Sequence, residues 1–195
     1  MMAQKLAIDE PTVSLDALMA LGSDARVEVI DGEIVYMSPV GGEHQDIGGN
    51  LYDIWKAFVK AHRLGLVYFD GLLYLLHQKG TRLKGSLVPD ISFIRKADIP
   101  KHWDRRRPFP GAPTIAVEII SPSDEPENLI RRVRMYLEAG TEAVWAIYPE
   151  TQEVHIYTAD GAIQRYFDEM TIDMGAFMPG LTIPLPAIFA MPELE

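Results

Sequence analysis

The chain contains no cysteine among its 195 residues. Disulfides, thiolate zinc sites and cysteine nucleophiles are thereby excluded, and any metal must be held by oxygen ligands or histidine, which favours hard ions such as Mg²⁺ or Mn²⁺. Long apolar runs are also missing. No stretch approaches the roughly 18 residues that a membrane-spanning helix needs, and Met1-Met2-Ala3-Gln4-Lys5-Leu6-Ala7 lacks the apolar centre of a signal peptide. The expectation is a cytoplasmic protein with no membrane partner. Basic residues are scarce, with 18 Lys and Arg against 28 Asp and Glu and a formal charge of -10, which at first sight argues against a nucleic-acid partner. The Gly-x-Ser-x-Gly elbow of serine hydrolases is absent as well, so Ser121 and Ser123 are not read as nucleophiles.

What is present is an ordinary globular composition, 48% hydrophobic and 24% charged, in a length that fits one domain over residues 1–195 with a sizeable core. The basic residues are unevenly spread. Nine lie between Lys79 and Arg107 (Lys79, Arg82, Lys84, Arg95, Lys96, Lys101, Arg105, Arg106 and Arg107) against Asp90, Asp98 and Asp104 alone, a local excess of six positive charges. Such a window can hold a phosphate backbone or merely keep loops solvated. Trp103, inside it, is the tryptophan placed to stack on a base, whereas Trp55 and Trp145 fall on core faces.

Patterning gives the order of elements. Ser14 is a candidate helix cap. Arg26 to Ile30 and Glu33 to Met37 alternate around Asp31-Gly32, which predicts a β-hairpin. Ile47, Leu51, Ile54, Trp55, Phe58 and Val59 recur at helical spacing and predict a helix from Glu43 to about His62. Strands are expected at about Leu66 to Leu76 and Leu87 to Ile94, joined by a turn from Gly80 to Gly85, and again at Thr114 to Ile120. A second helix is expected from Glu127 to Ala139, closed by Gly140, followed by strands at Ala143 to Tyr148, Glu153 to Thr158 and Ala162 to Tyr166. An extended tail ends in a docked turn at Ile188-Phe189. A helix between the Thr114 and Ala143 strands implies a parallel connection, so the fold class is α/β: a mixed sheet flanked by helices, with an N-terminal hairpin and extra C-terminal strands.

Two residues stand out chemically. Asp90 in Leu87-Val88-Pro89-Asp90-Ile91-Ser92-Phe93 and Glu118 in Ile115-Ala116-Val117-Glu118-Ile119-Ile120 each put one carboxylate inside an apolar strand. Burying a lone charge is costly unless a cation, a basic partner or a proton neutralises it. Asp90 could instead cap a turn, and Glu118 could sit in a structural ion pair; a shared metal ion would satisfy both at once. Two carboxylates holding a divalent cation at a sheet edge, with a helix starting directly afterwards, is an arrangement that can activate water and polarise a phosphate.

Pro89-Asp90, Val117-Glu118-Ile119-Ile120-Ser121-Pro122-Ser123, Tyr136-Leu137-Glu138-Ala139-Gly140, Val144-Trp145-Ala146-Ile147, Ile30-Asp31-Gly32-Glu33-Ile34 and Met178-Pro179-Gly180-Leu181, in that combination, resemble the Uma-two (Uma2) family of restriction-endonuclease-like proteins. The resemblance runs from about Arg26 to Phe189. It implies the PD-(D/E)XK nuclease fold, a Mg²⁺-dependent (or Mn²⁺-dependent) endonuclease activity on nucleic acid, expected to be DNA, and a homodimer. It matches Asp90 and Glu118 to the two metal-binding acids and offers the Ile119 carbonyl as a third ligand. The family's lysine, four residues before the tyrosine, is here Arg132, and the acid that often precedes it by four is Asn128. An arginine supplies permanent charge but cannot exchange a proton with water, so a catalytically degenerate binding module on the same fold is the alternative function. Arg131, Arg132 and Arg134 also read as one solvated helix face. His44, with Gln45, is the family's His-Gln pair, and Glu43 is a further accessory carboxylate, although both are also explained as a cap and as a charge suited to a helix start. Lys79, Arg82, Lys84, Arg105, Arg106 and Arg107 are the expected nucleic-acid contacts.

Overall fold

A computed structural model describes residues 13–22, 25–122 and 124–192; the stretch read above for a leader, and Ser123 of the second motif, lie outside them. In chain order the elements are β1 (Val13–Ser14), α1 (Leu15–Ala20), β2 (Val27–Ile30), β3 (Glu33–Tyr36), α2 (Gly42–His62), β4 (Gly65–Phe69), β5 (Tyr74–Lys79), β6 (Arg82–Leu87), β7 (Ile91–Arg95), β8 (Ile115–Ile119), α3 (Pro126–Glu138), β9 (Ala143–Tyr148), β10 (Glu153–Thr158), β11 (Ile163–Tyr166), β12 (Thr171–Asp173), β13 (Thr182–Pro184) and α4 (Leu185–Ile188). Ser14 does cap α1, its hydroxyl accepting from the Ala17 amide. The expected hairpin is β2–β3, turning where Asp31 and Gly32 both take positive φ.

A mixed six-stranded sheet, ordered β11-β10-β9-β8-β7-β4, carries the chain's centre. Within it β8 and β9 run parallel, as the intervening α3 requires. The hairpin belongs to a second sheet with β1, β5 and β6, and β12–β13 form a small third one. Helix α2 buries Ile47, Leu51, Trp55 and Val59, four residues apart, on one face of the large sheet, where Trp55 meets Trp145 edge-on at 5.2 Å. Helix α3, opened by Pro126 where a missing N–H costs nothing, buries Leu129, Val133 and Tyr136 with Ala116, Val144 and Ala146. The alternation along β8 therefore sends Ile115, Val117 and Ile119 to the α2 side and Ala116 to the α3 side. Among the described residues no helix is long and apolar enough to cross a membrane.

Two expected strands are each broken in two. The Leu66 to Leu76 run splits at Asp70-Gly71, both with positive φ, so β4 joins the large sheet while β5 joins the second. The Leu87 to Ile94 run splits at Pro89-Asp90, because proline has no N–H for a ladder and restricts the residue before it. The Gly80 to Gly85 turn is shorter than expected: β6 begins at Arg82 and takes in Lys84 and Gly85. Both breaks transfer the chain between sheets, and the second sets Asp90 at the entrance to β7.

Candidate active site

The site lies at the end of the large sheet, where β7 begins and β8 finishes. Continuing the Ile91–Val117 register by one residue brings Asp90 alongside Glu118. The Asp90 amide donates to the Val117 carbonyl at 3.0 Å and its Oδ2 accepts the Ile119 amide at 2.7 Å. Ile119 thus enters through its backbone, while its side chain packs in the α2-side core. Asp90 reaches α2 through His44, whose Nε2 lies 3.3 Å from Oδ1. Burial alone pulls the His44 pKa down, but the hydrogen bond and charge of Asp90, with Asp70 and Asp124 behind it, outweigh burial and leave it raised. Its Nδ1 is buried without a hydrogen-bond partner.

Glu118 faces the other layer. Its Oε2 accepts from Arg132 Nε at 2.9 Å and Nη2 at 2.5 Å, and its Oε1 from the Tyr136 hydroxyl at 2.8 Å. Arg132 and Tyr136 share a face because they stand four apart on α3. Arg132 Nη1 donates to Glu28 of the hairpin, whose other oxygen accepts the Val88 amide at 2.8 Å. These groups are enclosed, with side-chain exposures of 2% for Glu28, 8% for Glu118 and 19% for Arg132. Burial pushes the Glu118 carboxyl up to about 8, Asp90 and Glu28 adding to the rise while Arg132 and the Tyr136 hydroxyl oppose it. The guanidinium is held charged: burial disfavours it, but Glu118 and Glu28 together raise its pKa well above the ordinary value.

Glu28 and Glu118 therefore share one guanidinium, while Asp90, set beside Glu118 by the β7–β8 pairing, is held by His44 and the Ile119 amide. The three carboxylates and the one guanidinium carry a formal excess of two negative charges while His44 is neutral. That oxygen-rich, under-neutralised set has the chemistry of a hard divalent ion site. Among the described residues, no group of three or more His, Asp or Glu is already arranged around one point, because Arg132 stands between Glu118 and Glu28. A cation at Asp90 and Glu118 would compete with Arg132 for Glu118. The residues fit the ion by donor type and charge.

The sequence expectations fare unevenly. Asp90, Glu118, Arg132, His44 and the Ile119 backbone are brought together, and Arg132 is not part of a solvated face; Arg131 and Arg134 are exposed. Glu43 sits exposed in the first turn of α2. Lys79, Arg82 and Lys84 lie on the β5–β6 hairpin, and Arg105, Arg106 and Arg107 in the loop between β7 and β8. Within the cationic window Arg95 forks onto Glu142 and Arg106 onto Asp104, so part of its charge is already countered. Trp103 is not an open platform: its ring meets Tyr68 and Phe109 edge-on, and its N–H is shared between the Arg107 and Pro108 carbonyls at 3.2 Å. Sequence reasoning missed Glu28 and the role of Tyr136; only the latter carried a usable signal, its four-residue spacing from Arg132.

The Uma2 family, described as "Putative restriction endonuclease", matches residues 14–186. A solved structure described as a putative nuclease belonging to DUF820, from Anabaena variabilis ATCC 29413, shares the fold with a TM-score of 0.77, covering 91% of this chain and 97% of that one at 22% identity. No curated protein matches the chain.

Proposed function

The chain belongs to the Uma2 family of restriction-endonuclease-like proteins, and on that premise we propose that it is a divalent-metal-dependent endonuclease that hydrolyses phosphodiester bonds of nucleic acid, with DNA as the substrate. The observation carrying this reading is the strand pairing that sets Asp90 beside the buried Glu118 at one end of the sheet, with Arg132 bridging Glu118 to the buried Glu28. Asp90 and Glu118, with the Ile119 carbonyl, would hold Mg²⁺ or Mn²⁺. When bound, such an ion activates water as the nucleophile and polarises the phosphodiester. The chain's own groups prepare the site: His44 and the Ile119 amide fix Asp90, Tyr136 fixes Glu118, and Arg132 offers permanent positive charge to a phosphate. Lys79, Arg82, Lys84, Arg105 and Arg107 would contact the backbone of the nucleic acid, Glu43 would border the site as an accessory acid, and two copies of the chain would act together in the cytoplasm.

Purified protein is expected to nick supercoiled plasmid with Mg²⁺ or Mn²⁺, and Asp90→Ala to abolish nicking. No cleavage of DNA or RNA under either metal, with calorimetry registering no Mn²⁺ binding, would overturn the proposal. A second reading is favoured by one contact: Arg132 donates two hydrogen bonds to Glu118 where the family has a lysine, as a non-catalytic interaction module would require to close the site without metal. That reading expects Arg132→Lys to remain inactive; metal-dependent cleavage gained in Arg132→Lys would eliminate it.

A further inference from the structure

Glu28 lies on a hairpin strand whose neighbours Val27 and Val29 are core residues, yet it is itself 2% exposed, the least exposed acid of the cluster. A carboxylate there would be expensive if unpartnered, so its position is explained by what its two oxygens hold. Oε1 accepts the Val88 amide at 2.8 Å, and Val88 is followed by Pro89-Asp90. Proline's fixed φ, and the restriction it places on the preceding residue, stiffen the short segment from that anchor to Asp90. Oε2 accepts from Arg132 Nη1.

The guanidinium is attached along two separable edges. Nε and Nη2 both point at Glu118 Oε2, whereas Nη1 points at Glu28. If Glu118 turns to a cation, the first attachment is given up and the second is not. The edge then released is the Nε–Nη2 pair, two parallel donors of the kind that grip a phosphate in fork geometry. We propose that Glu28 is a positioning residue of the nuclease site: it keeps Arg132 in place while Glu118 exchanges the guanidinium for a divalent cation, and so turns the freed edge of Arg132 toward the scissile phosphate. This inference rests on the nuclease reading above.

Glu28→Gln separates Glu28's two contacts, since the amide oxygen can still accept from Val88 while its NH₂ cannot accept from Arg132. In that variant Arg132 has only Glu118, and Mn²⁺ must compete for it. Calorimetry is expected to give Mn²⁺ binding about tenfold weaker than in the wild type, a coupling of the size usual for neighbouring charged groups. Plasmid cleavage is expected to lose kcat by about tenfold or more with KM nearly unchanged, the pattern of an interaction made in the transition state. In an Arg132→Met background, Glu28→Gln should change Mn²⁺ affinity less than about threefold, because the group it acts through is gone. Equal losses in both backgrounds would mark Glu28 as a ligand or a general charge and overturn the proposal, as would unchanged affinity in Glu28→Gln. Wild-type protein that binds no Mn²⁺, behaving as Asp90→Ala does, would instead refute the nuclease reading itself. Should Glu28→Gln not fold, the wild type still decides. In ¹⁵N spectra titrated with Mg²⁺ the Arg132 Nε–H signal should move while the Val88 amide stays, and movement of both together would refute the handover.

Discussion

Arg132→Met removes the guanidinium that Glu118 and Glu28 share and leaves a shorter, uncharged side chain. Arg132 is 19% exposed and its two partners 8% and 2%, so water cannot replace what is lost. Breaking a buried ion pair from one side costs about 3–5 kcal/mol, because the other charge is stranded. For a domain of this size each kcal/mol lowers the melting temperature by about 2–4 °C, which places the expected drop at about 6–20 °C near pH 8.5, read by circular dichroism. The loss depends on pH, and the sign is fixed by Glu118. Its pKa already stands near 8 with Arg132 present, and removing the cation raises it further. A carboxyl whose folded pKa is raised favours the folded state most below its unfolded value and loses that contribution as pH rises through the folded value. At pH 5.5 Glu118 therefore takes a proton, less charge is stranded, and the deficit shrinks. Mn²⁺ should restore part of the loss at pH 8.5 by supplying positive charge. A drop below about 2 °C at pH 8.5 would refute the reasoning, given the size expected of such a pair; so would a deficit that grows on acidification.

Glu118→Gln removes the titration itself: its melting temperature should be flatter than the wild type's between pH 5 and 8, where the wild type loses stability because the unfolded carboxyl is ionised while the folded one still holds its proton, and parallel curves would contradict this. Tyr136→Phe deletes the hydroxyl that donates to Glu118 Oε1 and is expected to cost about 1.5–3 kcal/mol in urea denaturation at a pH above the Glu118 pKa, the range for a hydrogen bond to a charged group. Gly65→Ala would put a Cβ 2.0 Å from the Ile94 carbonyl oxygen and 3.0 Å from the Lys96 nitrogen, both backbone, so β4 must part from β7 at a cost of about 3 kcal/mol or more. Gly49→Ala, with nothing within 4 Å of its Cβ, should instead stabilise α2 by about 0.5–1 kcal/mol.

How far the sequence reaches follows from the range of each signal. Helices α2 and α3 and the β2–β3 hairpin were legible because their evidence is local: a helical apolar spacing, a glycine closing the second helix, an Asp-Gly pair at the turn. Asp90 and Glu118 were legible because a carboxylate among Val and Ile is anomalous within a single window. The strand breaks at Asp70-Gly71 and Pro89 were overlooked because apolar residues continue on both sides, and a run of hydrophobics carries no mark of which sheet it pairs with. Trp103 read as free because Tyr68 comes from β4 and the loop's own Phe109 meets it only once the loop folds back on itself.

Glu28 marks the point at which windows fail. Val27 and Val29 are buried, so a two-residue period assigns Glu28 to the opposite, solvent side of the hairpin. That period fixes which residues share a face but not whether the second face is covered. Here the second face is closed by the Val88 segment and α3. The same holds for Arg132, which looks solvated beside Arg131 and Arg134 until Leu129, Val133 and Tyr136 define the inward side of α3. A buried carboxylate at position 28 and a buried guanidinium at position 132 would each count against the fold if considered alone. Across the 104 residues that separate them they neutralise one another, and the pair joins the hairpin to α3 beside Glu118. The N-terminal hairpin is therefore a wall of the site as well as an appendage of the sheet, and a chain beginning after Ile30 would retain Asp90 and Glu118 while losing the carboxylate that holds their arginine.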